Sequence, residues 1–445
     1  VLTEPISERE VNIDSLKDLI NNKEASLAKI YSTKFDDNLS LIKNWKQAQS
    51  GLYNNDIAIE FSHFNLTNKG KKTDSIMYVA YVYDATSENP KMIPLFEERE
   101  LKLILEKNKT PNELYQSQDL YNLIWKPLEN EIGKNSTVYY SPSGILNQIS
   151  FAALSNEDDV LINSYELVQL SNTSALINKQ NEPDISSALF VGGVNYEYSE
   201  ITNDEQLIAD NSTYNYMQGE SFSKSRGTKN RGESWTYLPG TLTEVEALKS
   251  QFEAQGNSVV MLSKDDATET SLKKLSGNSL NILHIATHGF FYENLNREIQ
   301  FETNLSTEDQ YRLAEDPLLR SGLILAGANY AWKNGGNPME EDDGILTAME
   351  ISNLDLSNTE MVVLSACETG LGDIDGSEGV YGLQRAFKMA GVDIIVMSLW
   401  QVPDKETAEF MKYFYEQWLK LDDVRLAFNN TQQYMHQQYP KDPIN

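Results

Sequence analysis

Leu280-Asn-Ile-Leu-His-Ile-Ala-Thr-His-Gly289 is a short apolar run that stops on His-Gly, and Met361-Val-Val-Leu-Ser-Ala-Cys-Glu-Thr-Gly370 is a second that stops on Cys-Glu-Thr-Gly. Continuous apolar runs of this length, rich in β-branched residues and bounded by turn residues, read as buried strands. In an open parallel sheet the carboxyl ends of the strands line one edge, where crevices between loops collect reactive groups. If these two strands are neighbours, His288 and Cys367 face one another there.

Outward from this pair, strand and helix patterns alternate from Ala188-Leu-Phe-Val-Gly-Gly193 to the end, the rhythm of a parallel sheet with covering helices. A helix is expected from about Thr241, with Leu242, Val245, Leu248 and Phe252 on one face and Thr243 with Glu246 in capping-box spacing. A further helix follows Asp266. The polar stretch from about Glu197 to Trp235 is long enough to read either as a mobile functional loop or as disorder.

Upstream, Ile57, Ile59 and Phe61 alternate, Tyr78-Val-Ala-Tyr-Val-Tyr83 and Thr137-Val-Tyr-Tyr140 are strand-like, and a helix surrounds Leu120 to Ile132. Gln148-Ile-Ser-Phe-Ala-Ala-Leu154 reads as one more strand. Ile13, Leu16, Leu19, Ile20, Leu27, Ile30 and Tyr31 recur at helical spacing, and a second helix is expected around Leu41, Ile42 and Trp45. The expected division is a helical segment 1–54, a companion α/β half 55–187, and a half 188–445 built on a doubly wound, mainly parallel sheet with helices on both faces.

A cysteine at a strand's carboxyl end is a useful nucleophile, because its thiolate attacks a carbonyl carbon while an imidazolium supplies the proton a departing amine requires. Gly289 adds to this, since a residue without a side chain lets its N–H approach a developing oxyanion beside the N–H of Cys367. Taken singly, Cys367 would read as a small buried hydrophobe and His288 as a bonded turn residue. Their joint placement after two strands favours a catalytic dyad.

Zinc is the rival use of His284 and His288, but four residues along a strand separate side chains by roughly 13 Å, and the HExxH glutamate is missing. No metal is expected. His284 shares side-chain parity with His288 and reads either as a satisfied core histidine or as a hydrogen-bonding support. His63 and His436 have no comparable setting. With no Walker loop and only the Gly192-Gly193 pair, no cofactor is expected either.

Thirty-seven basic side chains stand against 66 acidic ones, a net charge of −29, which repels phosphate backbones and anionic lipid heads. Neither nucleic acid nor a membrane is therefore an expected direct partner. No apolar run reaches the eighteen or so residues of a membrane helix, Val392–Trp400 being the nearest. The single cysteine forbids an internal disulfide and fits a reducing cytoplasm. The sequence opens at Val1 without a charged-then-apolar leader and reads as an excised piece.

Several separated motifs, in order, carry a resemblance: HIATHGFF at 284–291, DPLLRSGLILAGAN at 316–329, DGILTAMEI at 343–351, LSACETGLGD at 364–373, and GVYGLQRAFKMAGVDIIVMSLWQVPD at 379–404. YYSPSGILNQISFAAL at 139–154 belongs with them. The sequence resembles the CHAT-domain peptidases, relatives of caspases, separase and gingipains that are often joined to tetratricopeptide arrays, from about residue 55 to the end. The resemblance implies a caspase-like fold (clan CD), a catalytic histidine at His288 and a nucleophile at Cys367, with 55–187 as a pseudo-caspase-like companion. It also implies that the leading helices end a repeat array through which an activating protein or ligand releases the peptidase.

The caspase cysteine signature is replaced by Ala366-Cys367-Glu368-Thr369-Gly370, so aspartate specificity is not implied. The chain stops at Asn445, where the family usually continues with another apolar strand. Separase and gingipains read arginine or lysine with an acidic pocket, and here Asp373, Asp375 and Glu378 follow the nucleophile while Asp404 follows Trp400. Cleavage after a basic residue is the resulting expectation, with Asp404 favoured for the pocket. The same carboxylates also read as solvated turn residues, Asp404 as the cap of a helix near Thr407. A greasy subsite lined by Trp400 and Phe290 is the other option, and loops at Asn294–Glu308 and Trp332–Pro338 would wall the cleft. The expected function is a regulated cytoplasmic cysteine endopeptidase acting on a specific protein, in a bacterial signalling or defence setting that the family alone suggests. An idle scaffold that binds proteins is the alternative.

Overall fold

The structure is a computed structural model that describes residues 44–133, 136–156, 159–177, 182–197, 234–292, 307–314, 316–334, 342–365, 373–374, 380–400 and 404–440. The helices expected before residue 44 lie outside the described residues. Of that segment the structure gives the short helix Trp45–Gln49, which Asn44 caps by accepting from the Gln47 N–H.

Strands β1 (Asp56–Asn68), β2 (Lys71–Asp84) and β3 (Lys91–Glu97) form an antiparallel meander, and β4 (Thr137–Ser141) and β5 (Glu166–Gln169) extend it in parallel, in the order β3-β2-β1-β4-β5. Lys69 and Gly70 both have positive φ between Asn68 and Lys71, the twist a two-residue hairpin turn requires. Phe61, Tyr78, Phe96, Trp125 and Phe151 fill the core of this mixed sheet.

Two expectations change here. The helix around Leu120–Ile132 is a π turn, Tyr121–Trp125, passing into a 3-10 turn, Lys126–Glu131, because Pro127 has no N–H to continue an α-helical ladder. Gln148–Leu154 is not a strand. A 3-10 turn, Gly144–Gln148, leads into a buried loop whose backbone bonds locally, Leu154 N–H to Phe151 O and Ile162 N–H to Ala152 O, so its apolar side chains plug the core without a ladder.

The second sheet is wholly parallel. It comprises β6 (Ser187–Val194), β7 (Ser258–Lys264), β8 (Ile282–Ala286), β12 (Met361–Ser365) and β15 (Ile394–Met397) in the order β15-β12-β8-β6-β7. Numbered in chain order these strands run 2-1-3-4-5, the doubly wound pattern whose switch point here falls between β6 and β8. Between β8 and β12 a small antiparallel sheet is inserted, β9 (Gly289–Phe291), β10 (Ser321–Ile324) and β11 (Ile345–Thr347). A two-stranded ribbon, β13 (Asp373–Ile374) with β14 (Val380–Tyr381), follows β12.

At β8 and β12 both faces of the parallel sheet are buried, which explains why these strands are apolar at nearly every position. Leu283, Ile285, Val362 and Leu364 face a core with Leu272, Ile351 and Phe387, while Ile282, Ala286, Met361 and Val363 face Phe252, Phe414 and Trp418 on the helices Pro239–Ala254 and Asp404–Leu421. The fold is α/β, with mixed and parallel sheets flanked by helices, consistent with the caspase-like fold that the resemblance implies.

The helix Pro239–Ala254 has Leu238 as its cap, not the Thr243/Glu246 box. Its first turn is instead fixed by Thr241, whose hydroxyl donates to Leu238 O and accepts from the Gly193 N–H at 2.9 Å. A Cβ at Gly192 would lie 2.6 Å from Thr241 O, so the glycine pair serves close helix seating. After Asp266 the expected helix is Glu269–Lys273, capped by Thr268, and Lys273 ion-pairs with Glu269, Asp342 and Glu350 at 2.6, 2.8 and 3.0 Å. The two sheets meet where Trp400, just past β15, packs on Tyr115 with ring centroids 5.3 Å apart.

Candidate active site

Strands β8 and β12 are hydrogen-bonded neighbours, and the last paired residues are Ala286 and Ser365. His288 follows Ala286 by two positions. Thr287 is fixed between them, its hydroxyl donating to Ile324 O at 2.5 Å and bonding the Tyr196 hydroxyl at 2.9 Å. Ile324 N–H donates to His288 O and Tyr292 N–H to Arg320 O, so 288/324 and 292/320 are hydrogen-bonded positions of the β9–β10 ladder, as is 290/322 between them. By the alternation of antiparallel pairing, Gly289 opposite Leu323 is a non-bonded position, and its N–H points away from β10.

The His288 imidazole is partly buried between Tyr196 and Trp235, each with its ring centroid 5.1 Å away. Its Nε2 lies 2.8 Å from Thr236 O. A carbonyl only accepts, so Nε2 carries the proton and Nδ1 is the basic nitrogen of the neutral ring. Burial holds the imidazole below its ordinary value of 6.5, and the Thr236 carbonyl partly offsets that.

Beneath the strand ends lies a polar brace. The Glu244 carboxylate, 2% exposed, accepts from His284 Nε2 at 2.8 Å and from the Ser365 hydroxyl at 3.2 Å. His284 Nδ1 meets the Tyr415 hydroxyl at 3.2 Å. Burial first, then Glu244, push the Tyr415 phenol well above its usual range, so it keeps its proton and donates. His284 is thus both a satisfied core histidine and a support that joins β8, through Glu244, to β12. With both ring nitrogens engaged it has none to offer a metal.

Cys367 and Asp375 lie outside the described residues, as do most of the 197–235 loop and residues 293–306. Of Asp373 the structure gives the backbone, paired with Tyr381 in the ribbon; Asp404 is the first residue of the helix Asp404–Leu421, which starts before the expected Thr407. The greasy subsite is corrected. Phe290 is buried with Trp332 and Tyr311 in one core and Trp400 in the other, so they share no cleft wall. Trp332 is likewise no loop residue but a buried member of the helix Ala328–Asn334. Sequence reasoning missed Thr236, Trp235, Glu244 and Tyr415; only the length of the loop ending at Trp235 hinted at the first two.

Comparison with protein families matches the CHAT domain over residues 115–444. No curated protein matches. The match starts within the half built on the mixed sheet, after β3, and takes in the whole parallel sheet. The chain therefore belongs to the CHAT-domain family, caspase-like and related to the clan CD peptidases.

Proposed function

We propose that this protein is a cysteine endopeptidase that cuts a protein substrate with Cys367 as nucleophile and His288 as acid and base. The observation that carries the reading is the register of β8 on β12: His288 and Cys367 each follow the last paired residue, Ala286 or Ser365, by two positions. Two residues span at most about 7 Å, so the reading asks for no long reach from either strand end.

In this reading His288 Nδ1 takes the thiol proton as sulfur attacks the carbonyl carbon, and the Thr236 carbonyl steadies the imidazolium through Nε2–H. The oxyanion is received by the N–H groups of Gly289 and Cys367. Collapse breaks the C–N bond, and His288 returns its proton to the leaving amine. Water, deprotonated by His288, then hydrolyses the thioester and restores the thiol.

The acidic residues Asp373, Asp375 and Asp404 support a preference for a basic residue at the cut site. An activating protein or ligand acting through the N-terminal segment, and a cytoplasmic setting consistent with the single cysteine, complete the proposal. The test incubates the protein with a peptide library and candidate proteins, beside its Cys367→Ala and His288→Ala variants. Cleavage should vanish in both; parent-level cleavage by Cys367→Ala removes the assigned nucleophile. An unchanged cut-site preference in Asp404→Lys would remove the pocket.

A further inference from the structure

We infer that Asn329 is a positioning residue for the His288 imidazole, acting through the backbone of Trp235 and Thr236. The inference deepens the reading of His288 as the base of the pair and rests on it. Asn329 is the second residue of the helix Ala328–Asn334 that follows β10, and 1% of it is exposed. Its Oδ1 accepts from the Trp235 N–H at 2.6 Å, and its Nδ2 donates to Trp235 O at 3.0 Å and to Glu197 Oε1 at 2.8 Å. Its own N–H donates to Tyr196 O at 2.9 Å.

A primary amide is costly to bury unless it is bonded, and these partners account for its presence at a buried position. Engaging both the N–H and the C=O of Trp235 fixes the peptide planes on either side of that residue. The next carbonyl in the chain is Thr236 O, the acceptor for His288 Nε2–H. The two residues gripped by Asn329, Tyr196 and Trp235, are also the two whose rings flank His288. Asn329 thus holds both walls of the imidazole, Trp235 through the amide side chain and Tyr196 through the Asn329 backbone N–H, and, one residue past Trp235, the group that sets the tautomer.

The test labels the ring nitrogens of the four histidines with 15N and assigns His288 by loss of its signals in His288→Gln. The parent should show a dominant Nε2–H tautomer. Asn329→Ala should show a mixture of tautomers, and a loosened imidazole should lower kcat about 100-fold while KM stays within about twofold. Asn329→Asp keeps the acceptor for the Trp235 N–H but loses the donor, and should fall between the two; it carries the test if Asn329→Ala does not fold. An unchanged Nε2–H signature in a folded variant overturns the inference. Because the tautomer is read without any substrate, a tautomer shift in Asn329→Ala beside full cleavage by Cys367→Ala would refute the peptidase reading and leave the positioning role standing.

Discussion

In the mixed sheet, His63 on β1 bonds Ser143, two residues past the end of β4, with Nδ1 and Oγ 2.8 Å apart. In the parallel sheet, His288 stands two residues past the end of β8. The resemblance ends at the surroundings. His63 lies stacked on Tyr78 with centroids 5.2 Å apart, a Cβ at Gly144 would fall on the Tyr78 hydroxyl, and the Ile145 N–H already donates to that hydroxyl at 3.1 Å. Under the proposed reading, a histidine beside a hydroxyl is not enough for acyl transfer. A backbone donor must also be left for the oxyanion, as the Gly289 N–H is left by the β9–β10 ladder.

Four measurements would break or sharpen that contrast. Alkylating the sole cysteine should lower cleavage by about 10⁴-fold or more, as removal of a catalytic nucleophile does; activity that survives complete labelling, read by mass spectrometry, ends the contrast. Glu244→Leu should lower unfolding free energy by about 3 kcal/mol in urea titrations, because His284 and the Ser365 hydroxyl lose a buried acceptor. A loss near zero would mean that the brace contributes no stability.

The pH profile comes third. Burial places the folded His288 value below 6.5, so the ring is still neutral at that pH. Its contribution to stability is complete above the unfolded value near 6.5 and is lost as pH falls through the lower folded value. The acid limb of kcat/KM should accordingly bend below pH 6.5, and a limb above that point would assign the base elsewhere. The smallest effect is expected of Ser143→Ala, which should leave kcat/KM within about twofold; a large loss would give the mixed sheet a part in the chemistry.

What was legible follows from the physics of each feature. β8 and β12 were readable because a strand buried on both faces must be apolar at nearly every position, and a change to His-Gly or Cys-Glu marks where it leaves the sheet. Gln148–Leu154 misled because apolar side chains report burial and not hydrogen bonding, and its backbone bonds to local turns, to the turn at Leu161–Ile162 and to the Tyr115 hydroxyl instead of to a ladder. Thr236 was invisible since it acts through a carbonyl that every residue carries. Asn329 and Trp235 are 94 positions apart, and nothing local in either segment announces the pairing. Glu244 sits among the polar residues of an amphipathic helix, where Thr243 and Glu246 offered a capping pattern that the chain does not use.

The Asn329 clasp has a practical consequence. Glu197 and Trp235 are tied to one side chain, which gives the sequence between them two anchors on the same residue. Doubling the length of such a connection adds only about 0.6 kcal/mol of closure entropy. A fluorescent or affinity tag spliced between those two residues should therefore leave the imidazole undisturbed, giving a built-in handle for following the protein with its chemistry intact.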